Sequence, residues 1–213
     1  MELTMMYELK QVECLPTQKQ AVKLHPEVIE ILFENRRYVK NAFSSLQGLY
    51  GISHMAMACI DPSHEMIAFS TTPNIECNLI HQNLWMNDHC FIPHPTQRNR
   101  LLWWDYQCEK IEKIKLKNNQ FSFGMTICRP VSNFFLMYSF ATQEKGNDLR
   151  QCYNENLFGL IDMGDYFYRS LRDLYSSYAL KHTPPKLSEL NSKASGLNIK
   201  PFLRVVQSIN KTR

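Results

Sequence analysis

Between positions 81 and 108 the sequence holds His81, His89, Cys90, His94 and Cys108, residue types that ligate metals or act as nucleophile and base. Structural zinc takes four such ligands at short, regular spacings. The run from His89 to His94 reads H-C-x-x-x-H, which fits none of them, and the remaining ligands would have to converge from elsewhere. A Cys90 nucleophile would need His89 or His94 as its base, and neighbours along a loop rarely meet in the geometry a thiolate requires. The chain also lacks G-x-G-x-x-G, a P-loop and G-x-S-x-G. These observations argue against an enzyme and against a bound metal or cofactor.

The same stretch carries Trp85, Trp103, Trp104 and Tyr106. Such aromatics either close one end of a core or wall a site for an apolar guest, and residue types alone leave both readings open.

The elements around them follow from periodicity. Residues 25–47 keep helical spacing at Val28, Leu32, Val39, Phe43 and Leu46, giving one or two helices. Residues 48–70 read as two strands about the turn "DPSH", with His54 as a hydrogen-bonded core residue. Thr72 and Pro73 open a short helix with Ile75 and Leu79 on one stripe, ending near Trp85. Residues 88–104 hold Pro93 and Pro95 without periodicity and predict an ordered loop. "YQCEKIEKIKLKN" predicts a helix whose Lys110, Lys113, Lys115 and Lys117 form a solvated face.

From Phe121 to Ala141 the residues alternate, turn at "RPVSN" and alternate again, which predicts an antiparallel hairpin. Neither face of its second strand is polar, so both sides of the sheet must be covered. Residues 148–178 predict one long helix with a seam at Tyr153, Leu157, Leu160, Gly164, Phe167, Leu171, Leu174 and Tyr178, a surface for association. The expected fold class is therefore α+β: an αβα sandwich with a central antiparallel sheet and helices on both faces, over residues 1–178. Residues 179–213 form a proline linker and a short helical tail.

Composition narrows the setting. The net charge of +4 is too small to demand a polyanionic partner, although Lys193, Lys200, Arg204, Lys211 and Arg213 make the tail basic. Pro201 stands where a DNA-recognition helix would want a free N–H, which argues against direct DNA binding. Seven scattered cysteines without a C-x-x-C pair read as reduced thiols. With no signal-peptide pattern and no long apolar run, the expected location is the cytoplasm and no membrane partner is expected.

Two segments, "FGMTICRPVSNFFLMYSFAT" and "NLWMNDHCFIPHPTQRNRLLWW", resemble the ligand-sensing, PAS/GAF-like half of LuxR-type quorum-sensing regulators. Gly124 stands at a characteristic family glycine, and Trp103 follows Asp88 by the family's interval. The resemblance implies a non-catalytic sensor that binds an amphiphilic small molecule, akin to an acyl-homoserine lactone, between sheet and helices. It implies that Asp88 accepts a hydrogen bond from the ligand amide, that Trp103 donates to or walls the head group, and that Ser139 adds a polar contact. A carboxylate accepts, an indole donates and a hydroxyl does either, so such a head group would be satisfied.

Trp85, Trp104, Tyr106, Ile75, Leu79, Gly124 and Met137 complete the expected lining. Ile75 or Glu76, together with Leu79, stands where the family has aromatics, and His89 replaces the proline after the aspartate. The tail is too short for a complete helix-turn-helix domain, so regulation would run through a homodimer or a heterodimer with a full-length LuxR-type regulator. The alternative is an interaction module whose pocket is filled by side chains such as Met55, Met57, Phe134 or Met137.

Overall fold

A computed structural model describes residues 22–88, 100–146, 148–179 and 181–187, apart from the side chain of Tyr106. The expected tail helices, Pro93, Pro95 and Pro201, the metal candidates His89, Cys90 and His94, and the basic residues from Lys193 onward lie outside them.

The hairpin predicted from alternation forms as β5 (Phe123–Val131) and β6 (Phe134–Thr142). They join β1 (Lys23–Leu24), β2 (His54–Ile60), β3 (Glu65–Ser70) and β4 (Arg100–Trp103) in one sheet of order β1-β3-β2-β6-β5-β4. All neighbours are antiparallel except β1 and β3. The helices are α1 (Val28–Glu34), α2 (Arg36–Ser44), α3 (Asn74–His81), α4 (Glu109–Lys115), α5 (Leu149–Glu155) and α6 (Leu157–Tyr178). The result is an α+β sandwich with a mostly antiparallel central sheet flanked by helices, as the sequence requires.

Register sorts the strand residues onto two unlike faces. Met55, Met57, Phe69, Met125, Ile127, Leu136, Tyr138 and Phe140 form a bulky face in one cluster with α2 and α6. Ala56, Ala58, Ala68, Gly124, Thr126, Ser139 and Ala141 form the other, and their small volume leaves depth beneath α3 and α4. The site lies on this shallow-chained face.

Four expectations change. Residues 100–103 form the edge strand β4 where an irregular loop was expected; four residues after a proline-rich run are too few to show periodicity. The helix expected over residues 148–178 breaks at Asn156, whose backbone leaves the helical region while its Nδ2 donates to the Cys152 carbonyl at 2.8 Å. Leu160, Gly164, Phe167 and Leu171 of the expected association seam are buried against the chain's own sheet. The ring of Tyr138 lies so close that a Cβ on Gly164 would sit 2.0 Å from its Cδ2. Thr72 does not cap α3, which starts after Pro73 with no side-chain cap bond.

The segment after α6 is not a free linker in its described part. Leu187 is buried in the core, and Tyr168 Oη donates to the Pro185 carbonyl at 2.8 Å. Among the described residues, no helix is long and apolar enough to cross a membrane, and no group of three His, Cys, Asp or Glu side chains could hold a metal.

Candidate functional site

The small face of the sheet forms the floor of a chamber, with Ala56, Ala58, Ala68, Thr126, Met137 and Ser139 pointing into it. Ile75, Glu76 and Leu79 of α3 and Lys115 of α4 form its roof, and Trp104 forms its wall. Floor and roof meet because α3 follows β3 directly and packs on α4, which leads through a short turn into β5.

Most of the depth is already used. Trp104, 1% exposed, lies on Gly124, where a Cβ would come within 2.3 Å of its Cε3. Its indole N–H donates to Thr126 Oγ1 at 2.9 Å, and Thr126 Oγ1 is 2.9 Å from Ser139 Oγ. Lys115, at 4% exposure, points inward, with Nζ 2.5 Å from Oδ2 of fully buried Asp88 and 5.0 Å from the Trp104 ring centroid. A cavity of about 30 Å³ remains. That is room for a water or two, against the ~300 Å³ or more of an ordinary small-molecule pocket.

Burial sets the electrostatics. Glu76 is half-buried as a residue, but its Oε2 is enclosed and lacks a hydrogen-bond partner. Loss of hydration pushes its carboxyl up to about 7, against the lowering effect of a backbone hydrogen bond, Ser70 and Lys115. His54 borders the chamber beside Trp104 and Phe121, with Nδ1 3.1 Å from the hydroxyls of Thr71 and Thr72. Burial first and Lys115 second hold it neutral, down to about 3. Burial likewise keeps the Cys128 thiol protonated, up to about 11.

The expected site residues are thereby placed. Ile75, Leu79, Trp104, Met137 and Ser139 line the cavity, Gly124 lies under Trp104, and Asp88 borders the chamber through Lys115. Trp103 is not among them. The β4–β5 register turns it to the bulky face, where its ring centroid is 5.0 Å from that of Phe123 and the Arg150 guanidinium stacks at 4.8 Å. Trp85 is partly buried beside the α3–α4 cluster, and the Tyr106 side chain lies outside the described residues.

Sequence reasoning missed Lys115, Glu76 and Thr126. The expectation of a solvated lysine face fails at Lys115. The missed signal was spacing: Ile111, Ile114 and Lys115 fall at i, i+3 and i+4, one buried stripe.

Comparison with known proteins bears on the fold. A solved structure of SdiA in complex with octanoyl-rac-glycerol matches 85% of this chain and 78% of its own, with TM-score 0.50 and 10% identity. A crystal structure of Escherichia coli SdiA matches 85% and 82%, with TM-score 0.48 and 10% identity. Neither a protein-family model nor a curated protein sequence matches. The chain thus shares a fold with the SdiA structure in complex with octanoyl-rac-glycerol.

Proposed function

We propose that this chain is a non-catalytic regulatory domain of LuxR-type sensor architecture that keeps its chamber closed with its own side chains and acts through protein contacts. The observation that carries this reading is the inward-turned Lys115, whose ammonium engages Asp88 where the family resemblance puts a ligand amide. With Trp104 across the floor, the fold completes its core without a guest. The filled-pocket alternative thus gains weight, but with Trp104 and Lys115 as the filling.

The partner we propose is another domain of the same architecture, either a second copy or a full-length LuxR-type regulator met in the cytoplasm. The buried part of the α6 seam is unavailable for it; Phe158, at 81% exposure, and Tyr38 and Tyr166 remain exposed on α6 and α2. Sedimentation alone and with such a regulator tests this. A complex of defined stoichiometry is expected, and an exclusively monomeric state in both conditions removes the partner.

A second reading keeps the chamber as a receptor, favoured by the presence of octanoyl-rac-glycerol in SdiA. A guest of that length would have to displace Lys115 and Trp104. Native mass spectrometry of protein purified from its own host, with thermal titration by octanoyl-rac-glycerol and acyl-homoserine lactones, separates the two readings. The closed chamber predicts no retained molecule and no shift in Tm; a stoichiometric adduct or a saturable rise overturns it.

A further inference from the structure

Hydrogen-bond direction can be read across the chamber floor from the one group there whose role is fixed. An indole nitrogen only donates, so Thr126 Oγ1 accepts from Trp104 at 2.9 Å and keeps one hydrogen to give. Thr126 is 1% exposed, and among the described residues the only other group its hydroxyl reaches is Ser139 Oγ, 2.9 Å away. A buried hydroxyl hydrogen without an acceptor is costly, so Thr126 donates to Ser139. The Ser139 hydrogen must then point elsewhere. Ser139 is half-buried although it lies mid-strand on the covered face of β6, so its remaining surface opens onto the cavity it lines.

On the roof of the same cavity stands Glu76, also half-buried, whose carboxyl accepts in either protonation state. The volume of about 30 Å³ exceeds the roughly 10–15 Å³ that one water needs, and a buried water takes two to four polar partners. The floor therefore offers a donor and the roof an acceptor, with Ala56, Ala58 and Ala68 between them.

We infer that this cavity is a binding site for one or two long-lived water molecules, which accept from Ser139 Oγ and donate to the Glu76 carboxyl, and so extend the chain Trp104–Thr126–Ser139 from floor to roof. The inference rests on the self-closed reading above and names the ligand of the same chamber. Water is the smallest molecule that accepts and donates at once, and the volume leaves no room for a head group with a tail.

Oxygen-17 relaxation dispersion of enriched solvent water tests it, because it counts waters held longer than the protein tumbles and does not register exchanging protein hydrogens. Ser139→Val fills the space and removes the donor, and should lose one or two of the waters counted in the unmodified protein. If Ser139→Val fails to fold, Ala68→Val fills the same space from β3 with the polar groups untouched, and the same loss is expected. An equal count in the unmodified protein and the folded variant overturns the site. Ser139→Ala separates anchoring from volume: it leaves the space and removes only the hydroxyl, so the count should fall there too, and a full count overturns Ser139 as the donor. Retention of an organic molecule by the unmodified protein would remove the self-closed reading, whereas equal counts with no retained molecule remove only the water site.

Discussion

Lys115→Met removes the ammonium while keeping most of the side-chain volume, and so isolates the ion pair with Asp88. Both partners are buried, at 4% and 0% exposure. Their separation of 2.5 Å makes a strong attraction that offsets, without greatly exceeding, the loss of hydration of two charges. Removing only the ammonium takes its 2.5 Å ion-pair partner from a fully buried carboxylate, so Lys115→Met should destabilise the fold by about 3–5 kcal/mol. Asp88→Asn/Lys115→Met removes both charges and should return most of that loss, to within about 2 kcal/mol of the parent or above it.

Denaturant unfolding of the parent, both single variants and the double variant at constant m-value supplies the cycle. Loss of the ammonium also gives Lys115→Met a pH signature, because a buried carboxyl that loses an adjacent cation binds its proton more tightly in the folded variant than in the folded parent. The variant should therefore gain relative stability as pH falls from neutral towards 4. A loss below about 1 kcal/mol for Lys115→Met, the range of an exposed pair, would refute the reasoning. So would additive single effects.

Further outcomes follow from the same chamber. Gly124→Ala should cost about 1–3 kcal/mol by forcing Trp104 off the strand, and much less in a Trp104→Leu background; equal losses in both would detach the glycine from the indole. Glu76, ordinarily near 4.5 and here about 7, contributes stability that falls as pH rises between those values, by roughly 3 kcal/mol at most. Glu76→Gln should abolish that decline in a pH series of unfolding free energies, and an unchanged slope contradicts an enclosed carboxyl. His54, lowered from 6.5 to about 3, works in the opposite sense: its contribution is present above 6.5 and is lost as pH falls towards 3. His54→Phe should flatten that acid limb while leaving the Glu76 limb in place.

How much of this was legible beforehand depends on the range of the forces involved. The β5–β6 hairpin and its two faces are written in strict alternation, so Met125 and Tyr138 separate from Thr126 and Ser139 by parity alone. Which of two adjacent tryptophans enters the chamber is set by the β4–β5 register, and β4 itself has only four residues, so Trp103 and Trp104 were indistinguishable from the chain. The break at Asn156 depends on one side chain meeting a carbonyl four residues back, a local event within an otherwise continuous apolar pattern. Lys115 was misread because lysine is overwhelmingly a surface residue. Its place on the buried stripe was legible in the i, i+3, i+4 spacing, but its ion-pair partner lies twenty-seven positions earlier, which periodicity does not reveal.

The central claim is that the protein's own atoms fill the chamber between the alanine floor and the α3–α4 roof. An experimental electron-density map of the protein purified from its own host measures this directly. The account predicts Trp104 seated on Gly124, Lys115 turned inward onto Asp88, and no more than water in the space that remains. Density for an extended organic molecule over Ala56, Ala58 and Ala68, with Lys115 turned out to solvent, would contradict it.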